Sequence, residues 1–386
     1  MLETQQYYPI RVLELRSVRG TGGGPEKTIL LGAARSNPEN YKITVCYIRD
    51  QRDKVFGPSS KASGLPIEYI EVIEKNSFDF GVIPKLRKII RDRKIDIIHA
   101  HDYKTDFLAA LLAITDRVIP LSTAHGWAGH SKKEQFYYWA DKIVLNRFPK
   151  IIAVSGEIRK EFLRKGIDDN KIEVILNGID PDAFKRDRNR GIDARETLRL
   201  PLEKTIIGSI GRLSTEKNYD FLLDVFAELY ENNDNLFLII AGDGDLKTHL
   251  ESRIRQLKME GSCRLLGHQD DVSLVYHVLD IFVQSSDNEG TSNSLLEAMA
   301  LETPIIATDV GGTSELIRDN IDGIIIPRRD KNALRNAINK IMEDREISTT
   351  LTNSARKRVE TELSFANRMA KLERIYDELM LSRSRK

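Results

Sequence analysis

Cysteine is nearly absent: the chain holds two, Cys46 and Cys263, in 386 residues. They stand far apart, each inside an apolar stretch, so a disulfide framework is excluded and buried free thiols in a reducing compartment are expected. An excess of charge is missing too. Lys plus Arg number 59 against 58 Asp plus Glu, which argues against a general polyanion binder and against nucleic acid as a partner, although local basic patches remain. Histidine is sparse, at seven, and this limits where a histidine-rich metal centre can form. No apolar run approaches the roughly 18–20 residues of a membrane-spanning helix. The opening MLETQQYYPI lacks the basic-then-apolar order of a secretory signal. A cytoplasmic protein that does not span a membrane is expected. What is present is globular: 41% apolar and 30% charged residues, in a chain long enough for two domains of about 150–200 residues.

The first half alternates apolar strands with amphipathic helices. Strands are predicted over 11–15, 41–48, 67–72, 95–99, 118–123, 150–154 and 172–176, and helices over 28–35, 82–93, 105–114, 132–147 and 157–165. That pattern predicts a parallel sheet covered on both faces. Ligands of such sheets lie beyond the carboxyl ends of the strands, where Gly22, His101, His125 and Ser155 fall. The first strand runs into a glycine loop, Gly20 to Gly24, that lets backbone approach a phosphate. It matches neither a P-loop, because Glu26 stands before Lys27-Thr28, nor a dinucleotide fingerprint, because Pro25 or Glu26 occupies the third glycine position. His99-Ala100-His101-Asp102 places two histidines on one strand face. No second histidine cluster accompanies them, so no metal is expected; His101 and Asp102 are assigned to line a cleft, and His99 to pack. The helix over 82–93 carries Lys85, Arg87, Lys88, Arg91 and Arg93, with Lys94 following. It is either a solvated face or a contact for anionic lipid headgroups.

A charged run, 185–190, separates the halves. A strand over 205–210 then leads into Gly211-Arg212-Leu213-Ser214-Thr215-Glu216-Lys217. Arg212 offers a planar fork to phosphate oxygens, Lys217 a compact charge and Gly211 room for both. Gly242 and Gly244 sit in another strand-to-helix loop. The Asp243-Gly244-Asp245 between them imitates a manganese-binding D-x-D, which we reject because two cations already stand where such a metal would act. Next comes the apolar run Ile281–Gln284 and then EGTSNSLLEAMA, from Glu289 to Ala300. It reads as loop, cap and strong helix. A helix start favours phosphate. The carboxylates Glu289 and Glu297 flank it, and an ionised acid accepts hydrogen bonds from a diol. Phosphate and vicinal hydroxyls together describe a sugar nucleotide.

The strings EG-x5-LEAMA, G-R-L-x-x-E-K at 211–217, T-x-x-G-G-x-x-E at 308–315, Asn177-Gly178-Ile179-Asp180 and His125-Gly126 resemble retaining, nucleotide-sugar-dependent glycosyltransferases of family 4. The resemblance implies an α/β GT-B fold of two Rossmann-like domains with parallel sheets facing a central cleft. They would comprise 1–181, joined by the helix at 364–386, and 182–363. It implies a metal-independent hexosyltransferase without a cofactor, whose donor is a UDP- or GDP-sugar. The acceptor would be a glycan or lipid-linked, in cell-surface polysaccharide or glycolipid synthesis, with peripheral association at the cytoplasmic membrane face as a further expectation. His125, Arg212, Lys217 and Glu289 would be catalytic. Gly22, Gly23, Gly211, Gly242, Gly244, Ser292, Asn293 and Glu297 would bind donor, and His101 and Asp102 would face the acceptor. No carboxylate pair at hydrolase geometry is evident. Rival readings are a GT-B-like sugar-nucleotide epimerase and a non-catalytic nucleotide-sugar-binding protein.

Overall fold

A computed structural model describes residues 9–18, 20, 23–54, 57, 59, 62–76, 79–125, 143–187 and 189–384. Gly22, Gly126 and most of the helix expected over 132–147 lie outside the described residues. The chain divides into two compact units, Met1–Leu176 with Ala366–Lys386, and Asn177–Phe365.

The first unit is a seven-stranded parallel sheet in the order β3-β2-β1-β4-β5-β6-β7. Its strands are β1 (Ile10–Val18), β2 (Tyr41–Asp50), β3 (Glu68–Glu74), β4 (Ile97–Ala100), β5 (Ile119–Ala124), β6 (Lys150–Ala153) and β7 (Ile172–Val174). Helices α1 (Gly24–Arg35), α2 (Val82–Arg93), α3 (Tyr103–Asp116) and α4 (Gly156–Arg164) connect them. Apolar runs such as Leu13, Leu15, Cys46, Ile48 and Ile98 are buried in one core with Leu86, Ile90, Leu108 and Leu112 of the helices. The order reverses between β1 and β4: the chain goes from β1 outward through β2 and β3, then returns on the other side. Asp102 starts α3 two residues earlier than expected, because its carboxylate accepts the N–H groups of Lys104 and Thr105. The last helix, Phe365–Ser384, places Tyr376 against Glu14 and His99 of this unit.

The second unit has a six-stranded sheet in the order β10-β9-β8-β11-β12-β13. Its strands are β8 (Thr205–Ile210), β9 (Leu236–Ala241), β10 (Cys263–Gly267), β11 (Ile281–Gln284), β12 (Ile305–Thr308) and β13 (Ile324–Ile326). All are parallel, and the reversal falls between β8 and β11. The helices are α5 (Arg190–Thr197), α6 (Tyr219–Tyr230), α7 (Lys247–Gln256), α8 (Val272–Val278), α9 (Asn293–Ala300), α10 (Thr313–Leu316), α11 (Lys331–Glu343) and α12 (Arg345–Thr361). Helix α5 starts at Arg190, the last residue of the charged run, and continues past it, where no element is predicted. It buries a single residue, Ala194, so no apolar period announces it.

Cys46 and Cys263 are free and buried, one in each core. Burial pushes both thiols up to about 12, so neither is a ready nucleophile. Among the described residues no helix is long and apolar enough to cross a membrane.

Candidate functional site

In the second unit the predicted residues gather at the carboxyl ends of β8 and β11, on either side of the reversal, where open parallel sheets bind ligands. The loop after β8 contributes Gly211, Arg212 and Lys217, and the loop after β11 contributes Glu289 and Ser292. Lys217 Nζ donates to Glu289 Oε1 at 2.5 Å, and the Ser286 hydroxyl donates to the same oxygen at 2.6 Å. Ser285 Oγ donates to the Lys217 carbonyl at 2.9 Å and Asp287 N to the Glu216 carbonyl at 2.7 Å, so backbone as well as charge ties the loops together. Arg212 is exposed at the rim. Glu216 does not pair with Lys217. Its carboxyl is held below its usual range by the Ser214 hydroxyl first, then by its own backbone N–H, with the charges of Arg212 and Lys217 adding to them.

Three glycines let further loops close on this site. Gly311 has φ +53°, and a Cβ there would stand 1.7 Å from the Glu289 carbonyl oxygen. With Gly312 N donating to Gly290 O at 3.0 Å, the loop after β12 lies directly against the loop that carries Glu289. Gly242, at φ +144°, faces the Gly211 carbonyl, which a Cβ would approach to 1.9 Å. The side chain missing at Gly242 therefore makes room for the neighbouring loop. Gly244 lies the same way against Leu213.

Helix α9 follows. Ser292 caps it, with Oγ accepting from Leu295 N. Asn293 Oδ1 and the Thr291 carbonyl each accept from Asn177 Nδ2 at 3.2 Å, which ties the start of this unit to the start of the helix. Glu297, one turn in, is 7% exposed. Its Oε2 lies 3.3 Å from the hydroxyl of Tyr276 on α8, which donates to the Ser294 carbonyl at 2.8 Å. Burial, and then the Glu297 charge, push the Tyr276 phenol well up, so it remains a neutral donor.

The first unit holds a second cluster, beside its own reversal. Glu14 of β1 stands opposite His99 of β4 in the parallel register. Its Oε1 accepts from Tyr376 Oη at 2.8 Å and lies 3.2 Å from His99 Nδ1, while Oε2 contacts His101 Nε2 directly. His99 Nε2 is 2.7 Å from Thr123 Oγ1, and His101 Nδ1 is 3.0 Å from His125 Nε2. Burial, then the neighbouring His99, pulls His101 down to about 4 although Glu14 works the other way. Burial, then Arg16 and the neighbouring imidazole His101, holds His125 well below its ordinary value. Burial works to raise Glu14, but His99 and His101 outweigh it and keep the carboxyl well below its usual range.

Asp102 is committed to backbone. Oδ1 accepts from Lys104 N and Thr105 N, and Oδ2 accepts from Ser17 N at 2.7 Å. Gly23 N donates to Glu26 Oε2, closing the start of α1, and Glu26 Oε1 pairs with Arg16. Glu14 and Tyr276 were not singled out from the sequence. For Glu14 a signal existed, since an acid interrupts the apolar strand Arg11–Leu15. Tyr276 and Tyr376 carry no local sign of their partners. Glu14, His99 and His101 also form a group whose ligand atoms lie within 4.8 Å of one another, a spacing a metal could use.

Residues 22–183 match the family model described as Glycosyltransferase Family 4, and residues 192–358 match that of Glycosyl transferases group 1. The Escherichia coli UDP-Gal:alpha-D-GlcNAc-diphosphoundecaprenol alpha-1,3-galactosyltransferase is 26% identical over 79% of this chain and 81% of its own. The Staphylococcus aureus capsular polysaccharide biosynthesis glycosyltransferase CapM is 26% identical over 78% and 82%. In fold the chain is similar to Anabaena HepE solved in complex with UDP-glucose, with TM-score 0.82 and 20% identity over 96% of this chain and 100% of that one.

Proposed function

The chain belongs to the family 4 glycosyltransferases with the GT-B fold, and from that premise we propose which sugar transfer it performs and how. The donor is a UDP- or GDP-sugar, and the acceptor is a glycan or a lipid-linked saccharide in the building of a cell-surface polysaccharide or glycolipid. Transfer retains the anomeric configuration and uses neither metal nor cofactor. The observation that carries this reading is the meeting of Lys217, Glu289 and the Ser292-capped helix at one strand-order reversal, with Arg212 at its rim. The E. coli relative, named for UDP-galactose and a diphosphoundecaprenol acceptor, supports a nucleotide-sugar donor and a lipid-linked acceptor.

In this mechanism the departing diphosphate gathers negative charge, and that is where fixed cations lower the barrier most. Arg212 presents a fork to its oxygens. Lys217 has three donors, so it can keep Glu289 and still reach a phosphate oxygen. The N–H groups at the start of α9 add their partial charge. Glu297 accepts the ribose diol and Glu289 orients the sugar; in the first unit, His125 is assigned to a sugar hydroxyl. The basic face of α2 is proposed to meet anionic headgroups near a lipid-linked acceptor.

Substituting Arg212→Ala is the direct test. Folding and melting should be unchanged, while release of nucleoside diphosphate from the donor should fall about 10²–10³-fold, equivalent to about 2.7–4 kcal/mol. Undiminished turnover in a folded Arg212→Ala protein would refute the assignment. A wild-type protein that binds the donor but never cleaves it would be an inert binder.

A further inference from the structure

The buried cluster of the first unit sets the polarity of one ring. We propose that Glu14 and His101 are positioning residues that hold His125 as its Nε2–H tautomer, so that His125 Nδ1 meets its ligand as a hydrogen-bond acceptor. The group it meets is then a donor, a sugar hydroxyl rather than a carbonyl or phosphate oxygen. This rests on the reading above only in assigning His125 to the sugar.

An ionised carboxylate only accepts. Glu14 Oε2 abuts His101 Nε2, so that nitrogen carries hydrogen. A neutral imidazole carries one hydrogen, which leaves His101 Nδ1 bare, and the only way to satisfy the 3.0 Å contact is for His125 Nε2–H to donate to it. His125 has then used its single hydrogen, and Nδ1 is left with its lone pair. Among the described residues no group bonds to that nitrogen. Were His101 charged, both its nitrogens would donate, His125 Nε2 would have to accept, and His125 Nδ1 would carry hydrogen instead. The polarity of His125 Nδ1 is thus decided two residues away.

The surroundings keep His101 neutral. The groups facing the cluster are Glu14 and Arg16 from β1, His99 from β4 and His101 just after it, Thr123 from β5 and His125 just after it, and Tyr376 and Arg368 from the last helix. Glu26 of α1 pairs with Arg16. Glu14 is already the acceptor for Tyr376 Oη, and His99 is spanned by Glu14, Tyr376 and Thr123. Arg16 donates to the His101 carbonyl at 2.8 Å, placing a positive charge beside the rings that opposes their protonation. A metal on Glu14, His99 and His101 is the competing use of these atoms. It would have to separate His101 Nε2 from Glu14 Oε2, which touch, and displace the bonds from Tyr376 and Thr123.

The tautomer can be read directly. In full-length protein with 15N-labelled histidine, long-range 1H–15N correlation spectra, with His125 assigned through His125→Gln, should show hydrogen on Nε2 and a bare Nδ1 near pH 7.5. Hydrogen on Nδ1 would overturn the proposal without any variant. Glu14→Gln, whose amide satisfies either tautomer, should turn the His125 signals into a mixture. Its kcat for donor cleavage should fall about tenfold to a hundredfold, with donor KM and the melting shift caused by UDP or GDP changing less than about twofold. A folded Glu14→Gln protein with wild-type kcat and an unmixed Nε2–H tautomer would also overturn it. So would a stoichiometric metal found in the purified wild type by elemental analysis and lost from Glu14→Gln. If the wild type cleaves no nucleotide sugar, the functional reading fails, while the tautomer spectrum still decides whether the relay exists.

Discussion

Glu14 shows what one charged residue does inside an apolar strand. At 5% exposure an isolated carboxylate would be costly to bury, and Tyr376, His99 and His101 supply the donors that make it tolerable. This arrangement makes stability depend on pH with a definite sign. His101 titrates near 6.5 in an unfolded chain but is pulled down to about 4 in the folded one. Between those values the unfolded state binds more protons, so stability is intact above about pH 6.5 and is lost progressively as the pH falls towards 4. His125, held low by burial and by Arg16, adds to the same slope, and Glu14 continues it at lower pH. Urea midpoints followed by circular dichroism should therefore decline from pH 7 to pH 5. A midpoint that stays level over that range would mean these rings are charged in the folded protein.

Single helices carry much of what the proposed function needs. Helix α9 combines a Ser292 cap, a carboxylate one turn in and a buried face from Leu295 to Ala300. Helix α2 buries Val82, Leu86, Ile89 and Ile90 and turns its cations outward. Several of those are locally paired: Arg87 with Asp116, Lys88 with Asp92 and Arg93 with Glu68. Beside it, α3 exposes Tyr103, Phe107 and Ile114 along one side. Cations flanking exposed apolar side chains suit an anionic lipid surface, each unpaired cation contributing on the order of 1 kcal/mol. Flotation with liposomes should recover the protein with anionic lipid and leave it behind with zwitterionic lipid. Equal recovery from both would remove membrane contact from the proposal.

Over the whole molecule, each unit repeats one device, a parallel sheet whose strand order reverses once. In both, the residues of interest sit at that reversal: Glu14, His99 and His101 in one, Lys217 and Glu289 in the other. Ligand binding at such a site raises the melting temperature only if the ligand prefers the folded state. We expect one of the UDP- and GDP-sugars to raise it. At a concentration a hundred times its Kd the gain is about 2.7 kcal/mol, or roughly 5–10 °C for a unit of this size. A flat response to both nucleotide series would leave the donor assignment without support.

The features legible in the sequence were local ones. Apolar strands, Ser292 as a cap, the glycine turns and the strings around Arg212 and Glu289 are each written within about a dozen residues, because helix and strand periods and turn chemistry act at that range. Helix α5 escaped because one buried alanine makes no period, and Asp102 was visible as a residue at a strand end without revealing that Ser17 takes its second oxygen. The pairings were out of reach. Lys217 and Glu289 are 72 residues apart and Glu14 and Tyr376 are 362 apart. Each pair is set by strand order, parallel register and the return of the last helix. The amino-acid string alone determined which side chains were at hand. Only the tertiary packing decided which of them face each other, because a buried hydrogen takes its partner from whatever atom the fold brings within about 3 Å.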